Sequence, residues 1–317
     1  SSNSAIAPRQ VAATGIPGLD DILAGGLTRR RLFLIEGVPG SGKTTLALQF
    51  LMAGVRLNER VLYITLSETE EELRSVAESH GWSLEGVTIR EFAPLETELD
   101  IEEQNTIFHP SEVELASTLK RILDDVERVR PSRIVFDSLS ELRLLAGSAL
   151  RYRRQILGLK QFLATRDCTV VLLDDLTATD RDLQMQSIAH GVVLLEQLNP
   201  EYGAERRRLR VVKYRGVKFR GGYHDYVIQQ GGLVVFARLV AAEHRDVNPR
   251  RKLPSDIPEL DRLLGGGIEE GTSTLMVGAA GTGKSTLAAQ FAVSAARRSQ
   301  RAALFIFDES PETLLTR

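Results

Sequence analysis

The chain has 317 residues, 43% of them hydrophobic, which is enough for a sizeable packed core and too many for a disordered chain. Its 40 basic residues against 42 acidic ones leave a net charge of −2, so nothing global draws it to nucleic acid or to an anionic membrane. One cysteine, Cys168, excludes an internal disulfide and fits a reducing cytoplasmic setting, and no apolar stretch approaches the roughly 20 residues that span a bilayer.

Residues 1–13, opening on Ser1-Ser2-Asn3-Ser4, read as a flexible lead. Leu32-Phe33-Leu34-Ile35 is a short apolar run ending at a glycine-rich turn, and Leu46, Phe50, Leu51 and Val55 then follow a helical pattern. Arg60 to Leu66 reads as a strand and Glu70 to Ser79 as a charged helix. The acidic stretch from Glu96 to Glu103, with His109-Pro110, reads as a solvated loop. Ser111 to Arg130 is a longer helix with Val113, Ala116, Leu119, Ile122, Leu123 and Val126 on one face. Further apolar runs at Ile134 to Phe136, Val170 to Leu173 and Val192 to Leu195 alternate with helices, which predicts a parallel sheet covered on both faces. Strand-rich sequence from Leu209 to Phe236 predicts antiparallel or hairpin additions to that sheet.

The chain repeats itself. Ile16 recurs as Ile257, Gly37 as Gly278 and Glu68 as Glu309, a constant offset of 241 positions. An ungapped offset across separate segments means two copies of one domain. The reading is a first domain over 14–243, a basic, proline-bearing linker over 244–253, and the N-terminal part of a second copy over 254–317.

Gly37, Gly42, Lys43 and Thr44 fill every fixed position of a phosphate loop, with a strand before it and a helix after. The glycines let the backbone curl so that N–H groups point at phosphate oxygens, and the helix start adds its positive dipole end. Val38, Pro39, Gly40, Ser41 and Thr45 complete the candidate nucleotide contacts, with ATP as the ligand. Lys43 is placed to reach the β- and γ-phosphates, and the Thr44 hydroxyl to bind Mg2+. In the second copy Gly278, Gly281, Thr282, Gly283, Lys284, Ser285 and Thr286 take the same places, with Ser285 as metal ligand and Glu309 beside them. Asp137 ends an apolar strand, where it can organise the metal. Glu68 ends the strand through Leu66 and is the candidate that activates water; the competing reading is a helix cap, since Ser67 and Thr69 flank it.

Together these motifs, with Ser79-His80-Gly81-Trp82 and Lys213-Tyr214-Arg215-Gly216, resemble the KaiC family of circadian-clock ATPases, within the RecA-like superfamily. The resemblance runs from about Thr14 to the end of the chain and implies a RecA-like α/β P-loop fold in tandem copies. It implies a homo-oligomeric ring, a hexamer in that family, with ATP between subunits. Lys213 and Arg215 would then touch the γ-phosphate in a neighbour's site, and Ser79 would join the nucleotide contacts. It also implies a slow nucleotide-state switch with a regulatory protein partner. Two departures stand out. The family's paired catalytic glutamates are here Ser67-Glu68 and Asp308-Glu309, and the family's phosphorylated Ser/Thr pair lies beyond Arg317, so serine/threonine autokinase activity rests on resemblance alone. Gln229-Gln230 stands where the family contacts the base.

The cluster Arg206, Arg207, Arg208, Arg210, Lys213, Arg215, Lys218 and Arg220, interleaved with Tyr214, Phe219 and Tyr223, offers a rival reading as a single-stranded DNA platform. Strand alternation and a nucleotide site between subunits account for the same residues without nucleic acid.

Overall fold

The computed structural model describes residues 10–92, 110–176, 183–240, 251–307 and 310–316. The acidic stretch Glu96 to Glu103, most of the expected linker, and Glu309 lie outside the described residues. The chain divides into two compact units, Ser1–Leu239 and Val240–Arg317.

The first unit runs β1 (Val11–Ala12), α1 (Pro17–Ile22), β2 (Leu27–Thr28), β3 (Leu32–Gly37), α2 (Lys43–Val55), β4 (Val61–Thr65), α3 (Glu70–Ser79), β5 (Val87–Glu91) and α4 (Pro110–Val129). It continues with β6 (Arg133–Asp137), α5 (Leu139–Ala146), α6 (Ala149–Ala164), β7 (Thr169–Asp175), α7 (Leu183–Ile188), β8 (Gly191–Leu198), β9 (Arg206–Tyr214), β10 (His224–Gln229) and β11 (Gly232–Phe236). Nine of these strands form one sheet in the order β11-β10-β9-β8-β3-β7-β6-β4-β5. The run from β8 to β5 is parallel, and β8 to β11 is antiparallel. The expected α/β class holds, antiparallel additions included.

The apolar runs are continuous because both faces of the sheet are covered. Side chains alternate: Phe33, Ile35, Tyr63, Val135 and Val171 pack with α1, α2 and α3 in one core, while Leu34, Leu62, Ile64, Ile134 and Val170 pack with α4, α5 and α6 in the other. β1, within the stretch expected to be a flexible lead, pairs antiparallel with β2, and Ala12 is fully buried. Its burial against the first core is what orders it.

The start of β6 carries a buried ion pair. Arg133 is 0% exposed; its Nε donates to Glu59 at 2.5 Å and its Nη1 to the carbonyls of Ala13 and Phe50. Burial pushes the Glu59 carboxyl up, but the hydrogen bonds and charges of Arg133 and Arg29 outweigh it and hold the group below its usual range. The ion pair and these two carbonyls offset the cost of burying the guanidinium, while Nη2 stays buried without a hydrogen-bond partner, and Arg133 ties the N-terminal segment, α2 and the residues before β4 to one strand end.

The second unit holds β12 (Lys252–Leu253), α8 (Pro258–Leu263), β13 (Ile268–Glu269), α9 (Lys284–Arg297) and α10 (Pro311–Leu315). It repeats local devices of the first: Ser255 N donates to Asp261 at 2.7 Å as Thr14 N does to Asp20 at 2.8 Å. Among its described residues the only pairing is the two-stranded β12–β13. The segments corresponding to β3 and β4 stay irregular and exposed, with Leu275 at 87% and Phe305 at 82%. A central parallel strand is stable only between neighbours, and the described residues of this unit supply none for them.

Candidate nucleotide site

The topology brings four strand ends to one edge. Register sets Asp175 level with Gly37 across β3 and β7, and Asp137 level with Thr65 across β4 and β6. The C-terminal edge of a parallel sheet is where ligands bind in open α/β folds. Here it carries the loop Gly37–Thr44, Glu68, Asp137 and Asp175.

The loop is shaped by its glycines. Gly42, the residue before α2, has φ 92°, and a Cβ there would lie 2.6 Å from Ile228. A Cβ on Gly37 would lie 2.5 Å from the Ser41 hydroxyl and 2.9 Å from the Leu195 carbonyl. No other residue type fits either position without displacing its neighbours. Lys43 folds back over the loop, its Nζ donating to the Gly37 carbonyl at 2.9 Å and pairing with Asp175 at 2.7 Å. Asp175 is a site residue that sequence reading missed. The signal was present, since an apolar run ends in Asp174-Asp175 much as β6 ends in Asp137.

Asp137 is nearly buried and accepts hydrogen bonds at Oδ2 from Tyr63 Oη at 2.5 Å and Thr44 Oγ1 at 3.4 Å. Burial raises its pKa, offset in part by the Tyr63 hydrogen bond and the Lys43 charge. The Asp137–Ser138 peptide is cis. One carboxylate and one hydroxyl, both hard oxygen donors, suit a magnesium ion that keeps water and phosphate oxygens as its other ligands. No cluster of three or more acidic, histidine or cysteine side chains, which a dedicated metal cage would require, occurs among the described residues.

Glu68 is not the cap of α3. Thr69 caps α3, forming a reciprocal capping box with Glu72, so Glu68 is free of that duty. Its backbone is clamped to the Thr65 hydroxyl through both N–H and carbonyl. Its Oε2 is buried and has no hydrogen-bond partner. Burial, then the charges of Asp137, Glu72 and Asp175, raise its pKa to about 7, against the pull of Lys43. A buried, unpartnered carboxylate oxygen beside a phosphate loop fits a water molecule and nucleotide, which is the test the expected ATP and Mg2+ must pass here.

The β10–β11 hairpin closes the other side. Tyr226 Oη donates to the Ser41 carbonyl at 2.7 Å, Ile228 covers Gly42, and Gln49 of α2 binds both backbone groups of Leu233. The Ser79 hydroxyl turns back to the Val76 carbonyl in its own helix. Its neighbour His80 reaches the site instead, touching Thr45 at 3.4 Å and the Gln229 carbonyl at 3.0 Å, with its ring against Trp82.

Lys213 and Arg215 are elsewhere. The Arg215 N–H donates to the His190 carbonyl, and the His190 N–H to Leu32, the first residue of β3. Leu32 and Gly37 are opposite ends of that strand, so roughly 16 Å of strand lies between their levels. Three of the four arginines of β9 are engaged with acids: Arg206 with Asp225, Arg207 with Glu205, and Arg208 with Glu196 while also lying over Tyr223. Cys168 is buried, and burial pushes its thiol up to about 11, which leaves it inert.

In the second unit Lys284 repeats the fold-back, its Nζ donating to the Gly278 and Ala279 carbonyls at 2.8 Å, and Gly281 and Gly283 take positive φ. Thr282 bonds the Ala279 carbonyl, while Ser285 and Thr286 are exposed at the start of α9. The loop conformation is therefore encoded locally.

A family described as "ATPase: KaiC" matches residues 12–240 and 253–317. Relatives named circadian clock oscillator protein KaiC include that of Picosynechococcus sp., 30% identical over 98% of this chain and 60% of its own length. The protein of Synechococcus elongatus is 30% identical over 95% and 58%, and that of Thermostichus vulcanus 29% over 94% and 57%. The chain thus spans about three-fifths of the length of the curated relatives it matches. A match over almost the whole chain, together with a phosphate loop set in the expected sheet, places this chain in the KaiC family of ATPases.

Proposed function

We propose that the chain binds Mg·ATP at Gly37–Thr45 and hydrolyses it at sites shared between the subunits of a ring. The observation that carries this is the separation of two groups of residues. Glu68, Lys43, Asp137 and Asp175 stand at one edge of the sheet, and Lys213 and Arg215 at the other end of β3. Cations so placed serve a phosphate held by another copy better than one held by their own.

Lys43 exchanges Asp175 for the β- and γ-phosphates when nucleotide enters. Thr44 and Asp137 would hold a magnesium ion, which would supply charge neutralisation at the phosphates. Glu68 orients a water and takes its proton as the water oxygen bonds to the γ-phosphorus and the bond to the β-phosphate oxygen breaks. Lys213 and Arg215 of a neighbouring subunit neutralise charge on the transferring group. Shared sites make turnover depend on assembly, which suits a slow nucleotide-state switch in signalling or timing, with a regulatory protein reading the state. His80, with the hairpin carbonyl of Gln229, is the proposed wall of the base pocket in place of Ser79.

The test is ATP hydrolysis against protein concentration, with light scattering for mass. Activity rises with assembly, disappears in Glu68→Gln and falls at least tenfold in Arg215→Ala while the assembly persists. Concentration-independent turnover that ignores both substitutions overturns the shared-site mechanism.

A further inference from the structure

Three cations converge on the carboxyl end of α7. Lys213 Nζ donates to the Gln186 carbonyl at 2.6 Å and the Ser187 carbonyl at 3.3 Å, and Arg215 Nη2 to Ser187 at 2.8 Å. Lys160 of α6 donates to the Ile188 carbonyl at 2.8 Å. The last carbonyls of a helix lack partners within it and carry partial negative charge, so they offer a seat for cations. Lys160 and Arg215 line a cleft of about 270 Å³, and the three cations crowd each other: after burial, Arg215 is the next cause lowering the pKa of both Lys160 and Lys213. The carbonyl row holds together charges that would otherwise separate.

The seat is itself anchored. The Gln186 side chain donates from Nε2 to Glu36 Oε2 at 2.8 Å, and Glu36, buried to 2% exposure, directly precedes Gly37. α7 has six residues, too few for a helix to hold its position by its own bonds. One residue therefore joins the root of the phosphate loop, through its amide, to the seat of Lys213, through its carbonyl.

We propose that Gln186 is a positioning residue for hydrolysis, fixing the α7 carbonyl row so that Lys160, Lys213 and Arg215 are presented together to a neighbouring subunit's phosphate. Lys160 is by this reasoning a third member of the trans-acting set. The proposal rests on the shared-site reading above.

The experiment uses the full chain in mixed assemblies. Gln186→Met keeps side-chain length and removes the amide. Alone, it turns over several-fold slower with unchanged assembly mass and unchanged KM for ATP. Mixed with Glu68→Gln chains, whose own sites are dead but whose cations are intact, it recovers turnover per intact site. Lys213→Ala mixed with Glu68→Gln is the control, and it recovers likewise. If the control recovers and Gln186→Met does not, or if KM rises while kcat holds, the positioning role is wrong and the shared-site reading stands. If the control also fails to recover, the shared-site reading falls and this inference with it. Gln186→Ala is read in the same way should the Met variant fail to assemble; loss of assembly in both marks Gln186 as structural and overturns the proposal.

Discussion

The burial of Glu68 costs stability. Its carboxyl is raised from 4.5 to about 7, chiefly by burial and then by Asp137. Unfolded, it ionises near 4.5; folded, near 7, so the native state binds the proton more tightly between those values. Stability is therefore lost as pH rises from 4.5 through 7, and the full cost stands above 7. Glu68→Gln removes that cost. Thermal or urea unfolding should show the variant more stable than wild type at pH 8, with the gain vanishing toward pH 4. Because the group is partly open to solvent, water screens the effect to on the order of 1–2 kcal/mol. An equal gain at both pH values would mean that charge is not the cause. Legibility at this scale was uneven. Lys43, Thr44 and Asp137 were readable because motif spacing places them. Asp175 and Tyr63 were not, because their roles depend on which strands lie side by side, and β3 pairs with β7 across a gap of more than 130 residues.

At the scale of elements, α3 spans Glu70–Ser79 as its pattern indicates, because Thr69 and Glu72 form the capping box and Leu73 and Ala77 face the core. The β10–β11 hairpin was legible only as strands. That it braces the phosphate loop follows from Tyr226 reaching the Ser41 carbonyl, a contact between residues 185 positions apart. Tyr226→Phe keeps the ring and removes the hydroxyl, leaving that carbonyl buried and unpaired. Denaturant unfolding should show a loss of about 1–3 kcal/mol, and titration with a fluorescent ATP analogue several-fold weaker binding. Full affinity in the folded variant would show that the hairpin supports the fold without shaping the loop.

For the whole molecule, charge placement separates the readings. The basic strand β9 spends three arginines on Asp225, Glu205 and Glu196, and Arg208 and Arg210 lie over Tyr223, the aromatic that a DNA platform would need free. Single-stranded oligonucleotide should therefore not bind even at roughly 50 mM salt, where phosphate contacts are strongest. Affinity falling steeply with added salt would restore the nucleic-acid reading.

The tandem repeat, the phosphate loop and the parallel α/β class were determined by sequence alone, because each is written in local spacing: loop glycines, strand alternation, an offset of 241. The second unit shows the reach of that code, since its loop takes the right shape without a sheet around it. Tertiary structure alone decided that Glu68 holds one buried, unpartnered carboxylate oxygen, that Lys43 rests on Asp175, and that Lys213 and Arg215 lie at the far edge. The reason is physical. Burial and charge proximity are set by strand order and register, which unite residues distant in the chain and cannot be read from spacing along it.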